Sequence, residues 1–340
     1  MLVPQLSLTE IQGILPEHHY HYIKAIGMGG YGSIFLVRSD RYNQDFCIKR
    51  IQNPEGKFSN DTENEAATLI RLCHPNIISM YEFFFDQNHA TLYMVLEYCS
   101  GGSLKDLIER EGPIRPPKLY SYCYQILNAL LHCHDQNIAH RDIKPANILL
   151  DKYDRPKLAD FGLSKKFEKG ESLISFAGSH PYMAPEIICR QSTDPFLADI
   201  WSLGVTFYTI AFGMLPWGVC NEHEMDVAIQ LGIITFPSFA DQDFCNLIRS
   251  MVVVNPSKRK PLKQLLMSPI FQGINKYNYS SVKPLFNVSS QIFSKRRSSE
   301  VVPSSFSHNR ISSQYHPIKS YALKKPETKA NHLLRTTFAK

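Results

Sequence analysis

The chain changes its periodicity at the turn Ser100-Gly101-Gly102. Before it, short runs rich in β-branched and aromatic residues dominate. Residues 22–26 (Tyr-Ile-Lys-Ala-Ile), 33–38 (Ser-Ile-Phe-Leu-Val-Arg), 45–51 and 91–97 predict strands, the first three as a small antiparallel sheet. One helix is predicted among them over 61–72, with acids near its start and Asn60 or Ser59 as a cap. After the turn the apolar spacing becomes helical at 104–110, 118–135, 193–212, 222–231, 241–254 and 262–266. The expected class is therefore α+β with two lobes: a small β-rich lobe with one main helix over 20–97, and a larger, mainly helical lobe over 100–272. Residues 1–19 read as an N-terminal extension. From 273 to 340, Ser, Lys, Arg and scattered Pro lack sustained periodicity and read as a basic, serine-rich, disordered tail.

Hydrophobic residues make up 44% of the 340, enough for a sizeable core. No basic, apolar and small-residue succession opens the chain, which argues against secretion. The longest nearly apolar run, Leu203 to Leu215, is too short to span a bilayer and reads as a buried helix. Eight cysteines are scattered without a Cys-x-x-Cys pair, which points to a reducing, cytoplasmic setting with nuclear access open. His132-Cys133-His134 lies in a helical pattern that aims the three side chains apart, so a metal site is not expected there. His18, His19 and His21 read as an exposed run. From Lys276 onward stand 12 Lys/Arg against two acids, Glu300 and Glu327, while the preceding body holds 25 basic and 29 acidic residues. A mildly acidic body carries a basic tail.

Chemistry enters at Gly27-Met28-Gly29-Gly30-Tyr31-Gly32. Glycines let backbone amides approach phosphate oxygens with no Cβ in the way. Dinucleotide-binding domains share this spacing but follow it with a helix; here an extended run follows, which suits a hairpin flap, with a plain turn as the alternative. Lys49 sits among apolar strand residues and needs an anion, for which Glu65, or its rival Glu63, is available on the following helix. The most specific signal is His140-Arg141-Asp142-Ile143-Lys144-Pro145-Ala146-Asn147, with Asp160-Phe161-Gly162 eighteen residues after Asp142. Phosphoryl transfer needs positioning and charge neutralisation, and these residues bring carboxylates, a lysine and hard oxygen donors.

Together these residues resemble the protein-kinase signature over about residues 20–272. The resemblance adds Ala184-Pro185-Glu186, Asp199-Ile200-Trp201-Ser202-Leu203-Gly204, and Arg259 as the partner of Glu186. It implies ATP and Mg²⁺ bound between two lobes. It makes Asp142 the residue that positions the acceptor hydroxyl and Lys144 the one that steadies the γ-phosphoryl group. It makes Lys49, held by Glu65, the grip on the α- and β-phosphates, and Asn147 and Asp160 the metal ligands. It implies a nucleotide pocket lined by Gly27, Gly29, Gly30, Gly32, Ile34, Cys47, Leu96, Glu97, Cys99 and Leu149, with backbone groups of 97–99 facing adenine. Cys47, in place of the usual alanine, would narrow that pocket slightly.

A lysine two residues after Asp142 is similar to the serine/threonine branch, with moderate similarity to the calcium/calmodulin-dependent and AMP-activated group. No segment of the tail reads as a calmodulin-binding helix. Gly178-Ser179-His180-Pro181-Tyr182 resembles the substrate-facing loop, and its Ser179 hydroxyl is expected to bridge Asp142 and Lys144. In the family, an arginine at the place of Arg141 meets a phosphate on the activation loop. Ser175 is the candidate, Ser172 the runner-up, Lys165 a second contact, and an upstream kinase the implied partner. Ala146 and Ser103 stand where arginine-directed relatives carry acids, so at most a modest preference for basic substrate residues is expected. Lys295-Arg296-Arg297-Ser298-Ser299 admits three readings: a solvated tail, a phosphorylation site, or an anchor for anionic surfaces. Protein substrates are implied, and nucleic acid is not. A pseudokinase scaffold should lack Lys49, Asp142, Asn147 or Asp160, and a small-molecule kinase should lack the Ala-Pro-Glu segment and the substrate-facing loop; all are present.

Overall fold

The computed structural model describes residues 8–29, 32–52, 60–86, 91–168, 170–172, 174, 176–218 and 221–274. Gly30, Ser59, Ser175 and the tail with its basic cluster lie outside the described residues.

The chain opens with α1 (Leu8–Glu17), followed by β1 (Tyr20–Gly29), β2 (Gly32–Ser39), β3 (Gln44–Gln52), α2 (Asn60–Arg71), β4 (Met80–Phe85) and β5 (Thr91–Glu97). The five strands form one antiparallel sheet in the order β1-β2-β3-β5-β4. Because strand side chains alternate, the sheet has two different faces. Phe35, Val37, Phe46, Ile48, Tyr93 and Val95 point outward and are buried with Ile11 and Leu15 of α1. The intervening residues, among them Ile34, Cys47, Lys49, Met94 and Leu96, face the other way.

The larger lobe follows as α3 (Leu104–Glu111), α4 (Lys118–Asp135), four short strands β6 (Ile138–Ala139), β7 (Ile148–Leu150), β8 (Pro156–Leu158) and β9 (Lys165–Lys166), then α5 (Pro185–Ile188), α6 (Pro195–Phe212), α7 (Glu222–Leu231), α8 (Gln242–Met251) and α9 (Leu262–Leu265). Its centre is α6. The Asp194 carboxylate accepts from the Phe196 and Leu197 amides, Pro195 occupies the first turn, and Gly213 ends the helix in left-handed geometry at φ 73°. The helix has 18 residues of mean hydropathy 1.3, long and apolar enough by length and composition to cross a membrane, but 89% of it is buried inside the fold. Trp201 is fully buried there and stacks on Trp217.

Arg259 closes this lobe. It donates to both carboxylate oxygens of Glu186 at 2.7 Å, and to the carbonyls of Val253 and Leu197. Its guanidinium lies 5.1 Å over the Trp201 ring.

Three features differ from the sequence expectation. Residues 8–17 form a helix, although Gly13 and Pro16 weaken its local signal. Residues 80–85 form an edge strand whose burial does not alternate, so it carries no period-two pattern. His18 is half-buried, its ring stacked on Phe84 at 3.6 Å, whereas His21 is exposed and pairs with Asp40.

Candidate active site

The cleft-facing side of β3 carries Lys49, registered against Ile34 of β2 and Met94 of β5. Its ammonium donates to Glu65 at 2.7 Å and to Asp160 at 3.0 Å. The Lys49 and Glu65 side chains are only 8% and 4% exposed, so each carries a charge that the other must balance. Burial works against the Lys49 charge, but Glu65 and then Asp160 outweigh it and hold its pKa above the ordinary lysine value. Burial lifts Glu65 above the usual carboxylate range despite Lys49. Burial would lift Asp160 as well, yet the Lys49 contact holds it below that range. Glu65, one of the two acids weighed for Lys49, is in contact with it, and the Glu63 side chain lies outside what the structure describes.

Asp160 follows β8 and adopts φ +58°, uncommon for a residue with a side chain and found where the surroundings enforce it. Phe161 is fully buried against the His140 ring, and the imidazole N–H donates to the Ala159 carbonyl. One short segment is thus pinned from both sides, and its carboxylate is aimed at Lys49.

The second constellation surrounds Asp142. Lys144 donates to Asp142 Oδ2 at 2.7 Å, and the Asn147 amide donates to the same oxygen at 2.9 Å and to the Asp142 carbonyl at 2.8 Å. The Ser179 backbone N–H donates to Asp142 Oδ1 at 2.9 Å, while its hydroxyl accepts from Lys144 at 2.6 Å. The expected bridge through the Ser179 hydroxyl is therefore split, because the shorter path to Asp142 runs through the amide. Gly178 makes the approach possible. At φ +116°, a Cβ there would lie 2.7 Å from the Arg141 carbonyl.

The 178–182 loop is supported from below. Ser202 donates to the Tyr182 carbonyl, Trp217 to the Pro181 carbonyl at 2.9 Å, and His180 to Asp226 of α7 at 2.7 Å. Beneath the Asp142 loop, Asp199 of α6 accepts from the His140 and Arg141 amides at 2.8 Å and from His134 at 3.0 Å. The three residues of the His132 cluster do point apart: Cys133 lies in the core, His132 beside His74, and His134 on Asp199. Spacing gives no sign of the bracing contacts of His134, Trp217 and Asp226. Asp199 stands in the motif that carries the resemblance, as an acid inside an otherwise apolar helix, but its contacts under the Asp142 loop are not legible there.

At the lobe connector, the Glu97 amide donates to the Ser79 carbonyl and so is not open to a nucleotide. Its carboxylate pairs with Lys157 of β8 at 2.8 Å. Burial pushes the Cys47 thiol up to about 12, and burial, then Glu97, pushes Cys99 higher, so both present neutral sulfur. Leu96 and Leu149 are half-buried. In the glycine segment, Gly27 lies against Ile34, and Gly32 at φ +137° passes so close to the Arg50 carbonyl that no Cβ fits.

Arg141 adopts φ +69° and donates from its guanidinium to the Leu163 carbonyl at 3.1 Å. It lines a small cavity with Ala177, Thr193 and Ser202. Lys165 faces Glu171 at 3.5 Å, and the exposed Ser172 hydroxyl accepts from Ser192 at 2.8 Å. Ser103 is buried at a helix end. It caps α3, accepting from the Asp106 amide while Asp106 accepts from its amide and hydroxyl.

The donor set fits a divalent cation beside phosphates. Asn147 spends its NH₂ on Asp142, leaving its amide oxygen as the donor atom suited to a hard ion, and Asp160 is held in carboxylate form beside a lysine. A β-sheet lobe over a helical lobe, with a Lys–Glu–Asp set and a braced Asp–Lys–Asn–Ser set, defines a protein kinase. The chain belongs to the protein kinase family: residues 20–271 match the family model described as Protein kinase domain. It is 34% identical over 256 residues to the protein named "Probable serine/threonine-protein kinase MARK-A" of Dictyostelium discoideum, covering 74% of this chain and 24% of that one. It is 30% identical over 262 residues to sperm motility kinase 3A of Mus musculus, covering 77% and 51% respectively. The aligned part thus spans about a quarter and about half of these relatives.

Proposed function

We propose that this chain is an ATP-dependent kinase that phosphorylates serine and threonine hydroxyls of protein substrates. The observation that carries this reading is the Asp142 carboxylate, fixed by Lys144, Asn147 and the Ser179 amide at 2.7–2.9 Å. A carboxylate so held can orient an acceptor hydroxyl and take its proton without reorganising. Lys144 touches both Asp142 and Ser179, and its charge is placed to balance the negative charge that develops during transfer. Lys49, kept protonated by Glu65, grips the α- and β-phosphates. Gly27, Gly29 and Gly32 with Ile34, Cys47, Leu96, Cys99 and Leu149 line the nucleotide side. Asn147 and Asp160 hold Mg²⁺, which when bound neutralises phosphate charge.

Loop phosphorylation is part of the proposal. Arg141 borders the cavity under the activation segment with Ala177 and Thr193, and a phosphate on Ser175, placed by an upstream kinase, would supply an anion near this cation. Ala146 and Ser103 bring no acid to the substrate side, so selection for arginine should be weak. A cytoplasmic setting fits the scattered cysteines, which are free among the described residues.

The test is transfer of labelled phosphate to a degenerate peptide library containing serine, threonine and tyrosine, comparing the chain with Ser175→Ala. Label on serine or threonine is expected, with weaker transfer by Ser175→Ala after exposure to cell extract and ATP. Label on tyrosine alone would overturn the acceptor assignment, and equal rates for both proteins would remove the switch.

A further inference from the structure

We infer that α1, which lies before the residues matched by the family model, is a positioning element for the nucleotide grip; this inference rests on the kinase reading above. The sheet carries its two tasks on opposite faces. Phe35, Val37, Phe46, Ile48, Tyr93 and Val95 point outward, and the residues between them, Ile34, Cys47, Lys49 and Leu96, line the proposed nucleotide side. Without a cover, six large apolar side chains would form a contiguous patch in water. Ile11 and Leu15 supply that cover and are only 4% and 1% exposed.

The cover is also fixed in place. The His18 and His19 amides donate back to Leu15 and Pro16, and the His19 carbonyl accepts from Asp40 just beyond β2. The His18 ring stacks on Phe84 of β4 at 3.6 Å, and the Tyr20 hydroxyl donates to Glu82 at 2.5 Å. The brace therefore touches the sheet at the end of β2 and again on β4. Ile48, packed in the cluster with Ile11 and Leu15, immediately precedes Lys49 on the same strand. A strand is stiff over neighbouring residues and its interior is close-packed, so a shift of Ile48 moves Lys49 away from Glu65 and the phosphates. The chemistry around Asp142 sits in the other lobe and should be little affected.

The test uses the full chain with Leu15→Ala and the harsher pair Ile11→Asp with Leu15→Asp, at a temperature where circular dichroism shows each to be folded. Gly13→Ala is the control, because Gly13 is exposed and an added Cβ meets nothing within 4 Å. Titration with a fluorescent ATP analogue is paired with KM for ATP and kcat at saturating ATP. The expected result is a threefold or greater weakening of analogue binding and rise of KM in Leu15→Ala, with kcat within twofold and Gly13→Ala unchanged. A lower melting temperature with unchanged KM would make α1 a mere stabiliser and overturn the inference. Analogue affinity equal to that of the parent chain in the double variant would also overturn it. Failure of the parent chain to bind the analogue would instead sink the kinase reading itself.

Discussion

Lys49 and Arg259 solve the same problem, a cation removed from water, with different chemistry. The Lys49 ammonium meets carboxylates from two directions and remains next to the cleft, where phosphates can join it. Arg259 is spent entirely inside the fold on a two-pronged contact with Glu186, backbone carbonyls and an indole face. Arg259→Ala strands the Glu186 carboxylate and is expected to cost about 3–5 kcal/mol, read as a melting temperature lower by roughly 10 °C. A melting curve identical to the parent would contradict this. His74 shows the reverse case, a base kept neutral. Burial, then His132 and Lys157, lowers its pKa from the ordinary 6.5 to about 4. Below pH 6.5 the unfolded chain binds a proton that the folded chain refuses, so stability falls as pH drops from 6.5 toward 4. The ring is partly open to solvent, which limits the loss by pH 5 to about 1–2 kcal/mol. His74→Asn keeps an acceptor for the Asn76 amide, which His74 Nδ1 now takes at 3.0 Å, and should flatten this dependence in urea titrations at pH 7 and 5.

At the scale of elements, helix ends are written in local chemistry and were legible. Asp194, Asn221 and Asp241 each cap a helix that the apolar spacing located within two residues at its start. Ser103 reads in sequence only as a place without an acid, because a hydroxyl in sequence does not reveal that it caps a helix. Ser103→Ala removes one arm of a reciprocal cap and is expected to cost about 1 kcal/mol. Calorimetry should show a melting temperature lower by roughly 2–4 °C, with peptide selectivity unchanged. A changed preference for basic peptides at unchanged stability would contradict a capping role. What escaped were elements held by tertiary burial rather than local pattern. The short α1 gains its place from the sheet it covers, and β4 from its ladder with β5.

For the whole molecule, the change of period at Ser100-Gly101-Gly102 placed the division between a sheet lobe and a helical lobe, and motif spacing placed both halves of the candidate site. Spacing could not say how the halves are braced. Asp199 under the Asp142 loop, Trp217 and Asp226 under the 178–182 loop, and the Lys49–Glu65 pair all depend on contacts between residues far apart in the chain. In the proposed reaction, phosphoryl transfer rests on Asp142. The most direct measurement compares γ-labelled ATP transfer to serine/threonine peptides by the chain and by Asp142→Asn, with melting temperature and nucleotide affinity measured alongside. The expected result is transfer by the parent chain and a loss of at least about a hundredfold in the variant, with folding and nucleotide binding retained. Absence of transfer by the parent chain, or equal rates in the two proteins, would contradict the account.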